Sequence, residues 1–305
     1  MDRMKKRFLA FFGHFNIDVT MRVPFLPSNG SVNVISENES FGGTAGNFSI
    51  VASHLGIPFI PVSAVSRRSH SEFLQFLKEL KVDLTDIVVR EDSFGPVCYS
   101  VSDGNEQVYY VNQGPMGIPF TSELNDDWSS FQYLHFGTGP PEDYLDVLEN
   151  SQGSIKVFDP GQEISYRYTD KIIMDFIKSS DITFLNSHEL EKIVSITGVE
   201  MDELFSLGKV FIITKGIEGV EVRNGDQLTK VRSRKVLDIY DTLGAGDAFR
   251  AGFYMGLNEN LDYADAAVIG NIVASEAIKR PIPKFDLTHD DITEIFENEK
   301  DDLIL

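Results

Sequence analysis

Residues 182–195 read ITFLNSHELEKIVS, and this short stretch carries the pattern from which most of the chain is built. ITFLN is a brief apolar run of β type, and helical spacing takes over at His188. Asn186 and Glu189 stand three residues apart at the junction, the spacing of a capping box. Moving outward, YLHFG precedes a helical pattern from about Glu142, IKVFDP precedes another near residues 171–178, and VFIIT follows at 210–214. Upstream, RFLAFFG, TAGNFSIVASHLG, FIPVSAV and SEFLQFLKEL continue the alternation. Strands alternating with helices predict an α/β fold, a doubly wound and mostly parallel sheet flanked by helices.

Two regions break the rhythm. SVNVISENESF (31–41) and PVCYSVSDGNEQVYYVN (96–112) read as extended segments with no helix between, the second folded at SDGN into a hairpin. A small β-sheet lid formed by about 14–41 and 96–118 is expected, set in a single domain of 305 residues. The last third turns helical, over 245–257, 261–279 and 288–299.

Composition narrows the function classes. The chain is 42% hydrophobic and 24% charged, an ordinary globular balance. A formal net charge of −20 excludes a non-specific nucleic-acid binder, which needs a basic face, but leaves room for a locally bound anion. One cysteine, Cys98, permits neither an intrachain disulfide nor a cysteine zinc site, and fits a reducing cytoplasm. The opening MDRMKKRFLAFFG imitates a signal peptide, yet its apolar run spans only residues 8–12 and no small-residue cleavage site follows, so it reads as a first buried strand. No stretch reaches the ~20 apolar residues of a membrane span. The six histidines lack metal-ligand spacing, and neither GxxxxGK[ST] nor GxGxxG is present.

The strongest chemical signal is DTLGAGDAFRAGF (241–253). Gly244, Ala245 and Gly246 bare backbone N–H groups where a helix begins, a site suited to an anion. A carboxylate beside an anion site is unfavourable unless it has a task. Asp247 can accept the proton of an attacking hydroxyl in phosphoryl transfer, or it can simply cap the helix. Asn186 and Glu189 can position a magnesium water and a phosphate, although their spacing equally describes a cap. Gly42 and Gly43 allow close approach to the main chain, and Asn47 offers a donor and an acceptor, or the glycines merely make a tight turn. Asp18 can grip vicinal hydroxyls. Thr214, Lys215, Gly216 and Gly219, in TKGIEG, suit a loop over a nucleotide or a plain strand-turn-strand connection.

Taken in order, Asp18, Gly42-Gly43…Asn47, Asn186-x-x-Glu189, Thr214-Lys215-Gly216 and DTLGAGDAF resemble the ribokinase-like (PfkB) family of carbohydrate and nucleoside kinases over essentially the whole chain. YLHFGTGPPED, KVFDPGQEI, FLNSHELEK and GAGDAFRAGF are most similar to its archaeal nucleoside kinases, cytidine kinases among them. The resemblance implies ATP and Mg²⁺ as co-substrates, a monovalent cation, and a homodimer built through the lids. It implies Asp247 as base and Gly244, Ala245 and Gly246 as the anion hole. It places Asp18, Gly43 and Asn47 on ribose hydroxyls, with Asn33 and Gln162 at the base edge. Asn186 and Glu189 would serve the Mg–phosphate region, residues 214–219 would line ATP, Asn271 would neighbour adenine, and Asp241 would hold the monovalent cation. Two stretches depart from the family: Ser66-Arg67-Arg68-Ser69 stands where Gly-Asp-Asp-like residues are usual, and 274–283 lacks a common glycine. Phosphorylation of a ribonucleoside 5′-hydroxyl is therefore expected, with cytidine ahead of inosine and adenosine. A kinase of ribose or a keto-deoxy sugar acid is the alternative.

Overall fold

The computed structural model describes residues 6–124 and 127–305. The basic lead-in at 1–5 lies outside the described residues. The chain opens with β1 (Arg7–Phe12), β2 (Asn16–Arg22), β3 (Ser36–Gly42), α1 (Thr44–His54), β4 (Phe59–Ser66) and α2 (Arg67–Glu79). Next come β5 (Ile87–Arg90), β6 (Val97–Ser102), β7 (Gln107–Asn112), β8 (Phe131–Phe136), α3 (Pro141–Asn150) and β9 (Ile155–Phe158). They lead to α4 (Asp170–Ser179), β10 (Ile182–Asn186), α5 (Ser187–Thr197), α6 (Met201–Leu207) and β11 (Val210–Thr214). The chain closes with β12 (Val220–Asn224), β13 (Gln227–Val231), α7 (Ala245–Asn258), α8 (Tyr263–Ala277) and α9 (His289–Leu303).

The large sheet has the order β13-β12-β11-β10-β9-β8-β1-β4-β5 among the described residues. It is parallel from β5 to β11, and β12 and β13 add an antiparallel edge. The central strands are apolar on both faces because helices cover both. Along β1, Leu9 and Phe11 pack into one layer and Ala10 and Phe12 into the other. The first layer holds α1, α2, α7, α8 and α9, with Phe11 stacked on Phe48 at 3.9 Å. The second holds α3 to α6.

The chain leaves β1 toward β4 and β5 on one side, then returns to β8 on the other. This reversal between β1 and β8 opens a crevice at the carboxyl ends of the strands, where doubly wound sheets bind ligands. The four-stranded sheet β3-β2-β6-β7 stands beside that crevice. The expected hairpin at 96–112 forms as β6 and β7. The expected strand at 31–41 begins only at Ser36, and residues 31–35 lie outside it. β2 lies within the expected lid, and its alternation buries Ile17 and Val19 between Asp18 and Thr20, a strand the sequence reading did not delimit.

Candidate active site

A cavity of about 1050 Å³ occupies the crevice. Its walls come from the loops after β1, β9, β10 and β11, from the starts of α1 and α7, and from the inner face of the small sheet. These are distant in sequence and meet because parallel strands all end on the same side.

The start of α7 is its centre. Gly244 is the N-cap, with φ of 77°, and no side chain caps the helix. A side chain at Gly244 would be strained, and its Cβ would stand 2.8 Å from Ile282 and 3.1 Å from the Asn47 amide nitrogen. The N–H groups of Gly244 and Gly246 therefore stay open toward the cavity, while the Ala245 N–H, expected to join them, donates to the Thr242 carbonyl at 3.2 Å. Asp247 is the third helical residue, so capping is not its role: its Oδ2 accepts from Asn47 Nδ2 at 2.8 Å instead. Burial pushes the Asp247 carboxyl up to about 7, against the pull of Arg250 and the Asn47 bond. A carboxyl titrating there is matched to accepting a proton near neutral pH.

Asp18 sits on β2 across the cavity from α7, and burial raises its carboxyl to about 6. Gly42 is paired close by on β3, and a Cβ there would lie 1.9 Å from Asp18 Oδ2, so glycine makes the room this carboxylate occupies. Gly43, with φ of 82°, caps α1 where a Cβ would press on the His14 carbonyl at 2.5 Å. Asn16, Gly43, Thr44 and Asn47 complete this wall. On β7 the period of two sends Tyr109 and Val111 to the cavity. Cys98, opposite Asp18 on β6, also faces it, and burial raises its thiol to about 11. Phe41 does not reach the cavity, being stacked on Phe73 at 4.5 Å.

Beneath Asp247 lies a network that the sequence reading did not single out. Arg250 Nη2 donates to Asp159 Oδ1 at 2.5 Å and its Nε to Oδ2. His135 Nε2 bonds the same carboxylate at 2.9 Å, and its Nδ1 meets the Tyr254 hydroxyl at 3.0 Å. Burial alone would raise Asp159, but Arg250 and His135 outweigh it and hold the carboxyl at about 2. Glu163, equally unforeseen, is buried and accepts from Gly139 N at 2.6 Å, Gln113 Nε2 at 2.8 Å and Arg167 Nη1 at 3.2 Å. Gln113 also meets His14 Nε2 at 2.5 Å. Residues scattered from 14 to 254 make up these clusters, and no local spacing marks them.

At the far end, Asn186 and Glu189 form the capping box of α5, each side chain meeting the other's backbone N–H at 2.8 Å. Both also line the cavity, and burial raises the Glu189 carboxyl. Thr214, Lys215 and Gly216 line it too, but Lys215 Nζ is held by Glu221 Oε1 at 2.7 Å.

The cavity thus brings together Asp247, Gly244, Gly246, Asp18, Gly43, Asn47, Gln162, Asn186, Glu189, Thr214, Lys215 and Gly216. Other candidates lie off its lining. Asn33 is exposed in the loop before β3. Gly42 supports Asp18 from behind, and Ala245, in the first turn of α7, is not part of the lining. Gly219 is packed on β13, where a Cβ would meet the Val231 carbonyl at 2.0 Å. Buried Asn271 donates to the Arg232 carbonyl, pinning the loop that leads from β13 toward α7. Asp241 is exposed and accepts from Leu243 N at 3.0 Å, ordering the turn. The Arg67 side chain of the departing segment pairs with Glu91 in solvent.

Residues 6–289 match the pfkB family of carbohydrate kinases. The chain belongs to that family. A nucleoside kinase of Thermoplasma acidophilum is 36% identical over 292 residues, covering 96% of each chain. A nucleoside kinase of Methanocaldococcus jannaschii is 27% identical over 271 residues, covering 88% of this chain and 89% of that one. The crystal structure of the M. jannaschii nucleoside kinase, an archaeal member of the ribokinase family, superposes with a TM-score of 0.87 at 26% identity, covering 96% of this chain and 99% of that one. This pfkB-family kinase is a phosphotransferase with an alcohol acceptor and ATP as co-substrate. No helix among the described residues is long and apolar enough to cross a membrane.

Proposed function

We propose that this kinase transfers the γ-phosphoryl group of ATP to the 5′-hydroxyl of a ribonucleoside, with cytidine first and inosine and adenosine next. One observation carries the reading: a carboxyl raised to about 7 stands beside the bare amides of a helix start, between two separate regions of one cavity. The region toward β2 offers Asp18 and Asn47 for vicinal hydroxyls, next to Tyr109, Val111 and Tyr166. A free sugar sets only small C–H patches against that wall, whereas a nucleobase offers two flat aromatic faces. The name of the relatives at 36% and 27% identity supports the same class of acceptor.

In the proposed step, Asp247 orients the 5′-hydroxyl and accepts its proton late, as the new P–O bond forms and the bond to the ADP oxygen breaks. The N–H groups of Gly244 and Gly246 receive the charge on the transferring phosphoryl group, and that of Ala245 joins them on release from the Thr242 carbonyl. Asn47 holds the Asp247 carboxylate toward the acceptor. Among the described residues no group of three or more His, Cys, Asp or Glu could cage a metal, and Glu189 has one oxygen without a protein partner. That donor set fits Mg²⁺, an ion that keeps its waters and is held largely by substrate phosphates. Glu189 and Asn186 would hold it through water, and it would supply neutralisation of phosphate charge.

The small sheet carries Asp18, Cys98, Tyr109 and Val111 to the cavity, and its closing would exclude water from the transfer. On β7, Val108 and Tyr110 alternate with the cavity-facing residues and are exposed, which suits pairing of two copies through these sheets.

The test is a substrate panel with ATP: cytidine, inosine, adenosine, ribose and fructose. Formation of nucleoside 5′-monophosphates is expected. Reaction with the free sugars alone would overturn the proposal in favour of a sugar kinase.

A further inference from the structure

We propose that Arg250 donates a hydrogen bond from Nη1 to the terminal phosphoryl group of bound ATP, making it a second donor beside the backbone turn. The inference rests on the phosphoryl-transfer reading above, and on which cations the cavity offers. Besides histidines, the described residues lining it supply two, Lys215 and Arg250. Lys215 is held by Glu221 on β12. Against Arg250 stand Asp18, Asp159, Glu163, Glu189 and Asp247 on the same walls, so a triphosphate entering here needs a positive charge close to the turn.

Arg250 is built for that place. It follows Asp247 by three residues and therefore shares a face of α7 with it. Its Nε and Nη2 are fixed by Asp159, leaving Nη1 outside the bidentate pair. Asp159 is itself oriented by His135, and His135 by Tyr254. This buried chain sets the guanidinium at one angle. Nη1 lies 2.8 Å from where a Cβ on Gly246 would stand, directly against the amide turn. The glycine at 246 thus serves two needs, an open main chain and space for the Arg250 fork. A guanidinium fork suits phosphate better than a point charge does.

The experiment compares nucleotide binding with no acceptor present. Wild-type protein, Arg250→Lys, and the double variant Arg250→Ala with Asp159→Asn are titrated calorimetrically with Mg–ADP and with a Mg-bound non-hydrolysable ATP analogue. The double variant removes the Asp159 carboxylate together with its cation, and Arg250→Lys keeps a cation for Asp159, so at least one folded comparison is available. Both variants should lose about tenfold or more in affinity for the analogue while ADP binding stays within about twofold, because only the terminal group touches Nη1. An equal loss for both nucleotides would assign Arg250 to the scaffold alone, and unchanged analogue binding would remove it from the site. Either result overturns the inference. Since no acceptor is involved, the outcome is independent of the nucleoside panel, whose failure would instead overturn the choice of acceptor.

Discussion

Asp247→Asn should make the protein more stable while removing its activity, and the gain should depend on pH. In the folded chain the Asp247 carboxyl sits at about 7, against an ordinary value of 3.8. The folded state therefore holds a proton that the unfolded state releases between those two values. Stability from this group is fully present below about pH 4 and is lost as pH rises through about 7. Raising the carboxyl from 3.8 to about 7 corresponds to an upper bound of ~4 kcal/mol, at ~1.4 kcal/mol for each tenfold change in proton affinity. Asp247 is half-buried at the cavity wall, where solvent screens its charge, so about 1–2 kcal/mol is expected. Asparagine keeps the volume and still accepts the Asn47 bond, so it removes the charge with little else. At about 2 °C per kcal/mol for a chain of this size, Tm should rise by about 2–4 °C near pH 8 and converge with wild type near pH 4. Scanning calorimetry at both pH values, beside turnover, is the assay. A variant no more stable than wild type near pH 8, or an offset that ignores pH, would refute the reasoning about a costly buried charge.

The same shifts set the pH profile. Asp247 at about 7 and Asp18 at about 6 must both be ionised to act, so kcat/KM should fall as pH drops through that range, more steeply than one proton allows; a flat profile between pH ~5 and ~8 would contradict it. Gly42→Ala places a methyl group where Asp18 Oδ2 now lies, and should raise the nucleoside KM about tenfold or more while ADP binding is unchanged, read by steady-state kinetics and calorimetry. Gly244→Ala must hold a φ of 77° and press on Ile282, so it should cost about 1–2 kcal/mol in denaturant unfolding and lower kcat about 100-fold or more. An active, stable Gly244→Ala protein would show that the turn has no such role.

Much of the fold was legible because its signals are local. Each central strand is an apolar run with a helix behind it, and Asn186 with Glu189 three residues on announced the start of α5. The edge strands β12 and β13 carry alternating polar residues and turn at Asn224–Gln227, so they gave no such run. For the site, DTLGAGD marked the turn and Asp247 because a helix start with glycines is written in consecutive residues. Asp159, His135, Tyr254 and Glu163 were invisible because their meaning lies in contacts across separate strands and helices. Arg250 stood in plain view inside the motif, but only the folded chain sets Nη1 against Gly246. Gly219 and Asn271 illustrate the reverse: loop composition tied the first to a nucleotide and the family resemblance the second, and tertiary packing uses one for close strand contact and the other to pin a loop.

The central claim is that Asp247 and the amides of Gly244 to Gly246 face the junction of two ligands. A crystal structure with cytidine and a non-hydrolysable ATP analogue tests it most directly. The account predicts the 5′-hydroxyl within hydrogen-bonding distance of the Asp247 carboxylate and the terminal phosphate on the turn amides. A nucleoside bound with its 5′-hydroxyl away from Asp247, or a terminal phosphate seated elsewhere, would contradict it.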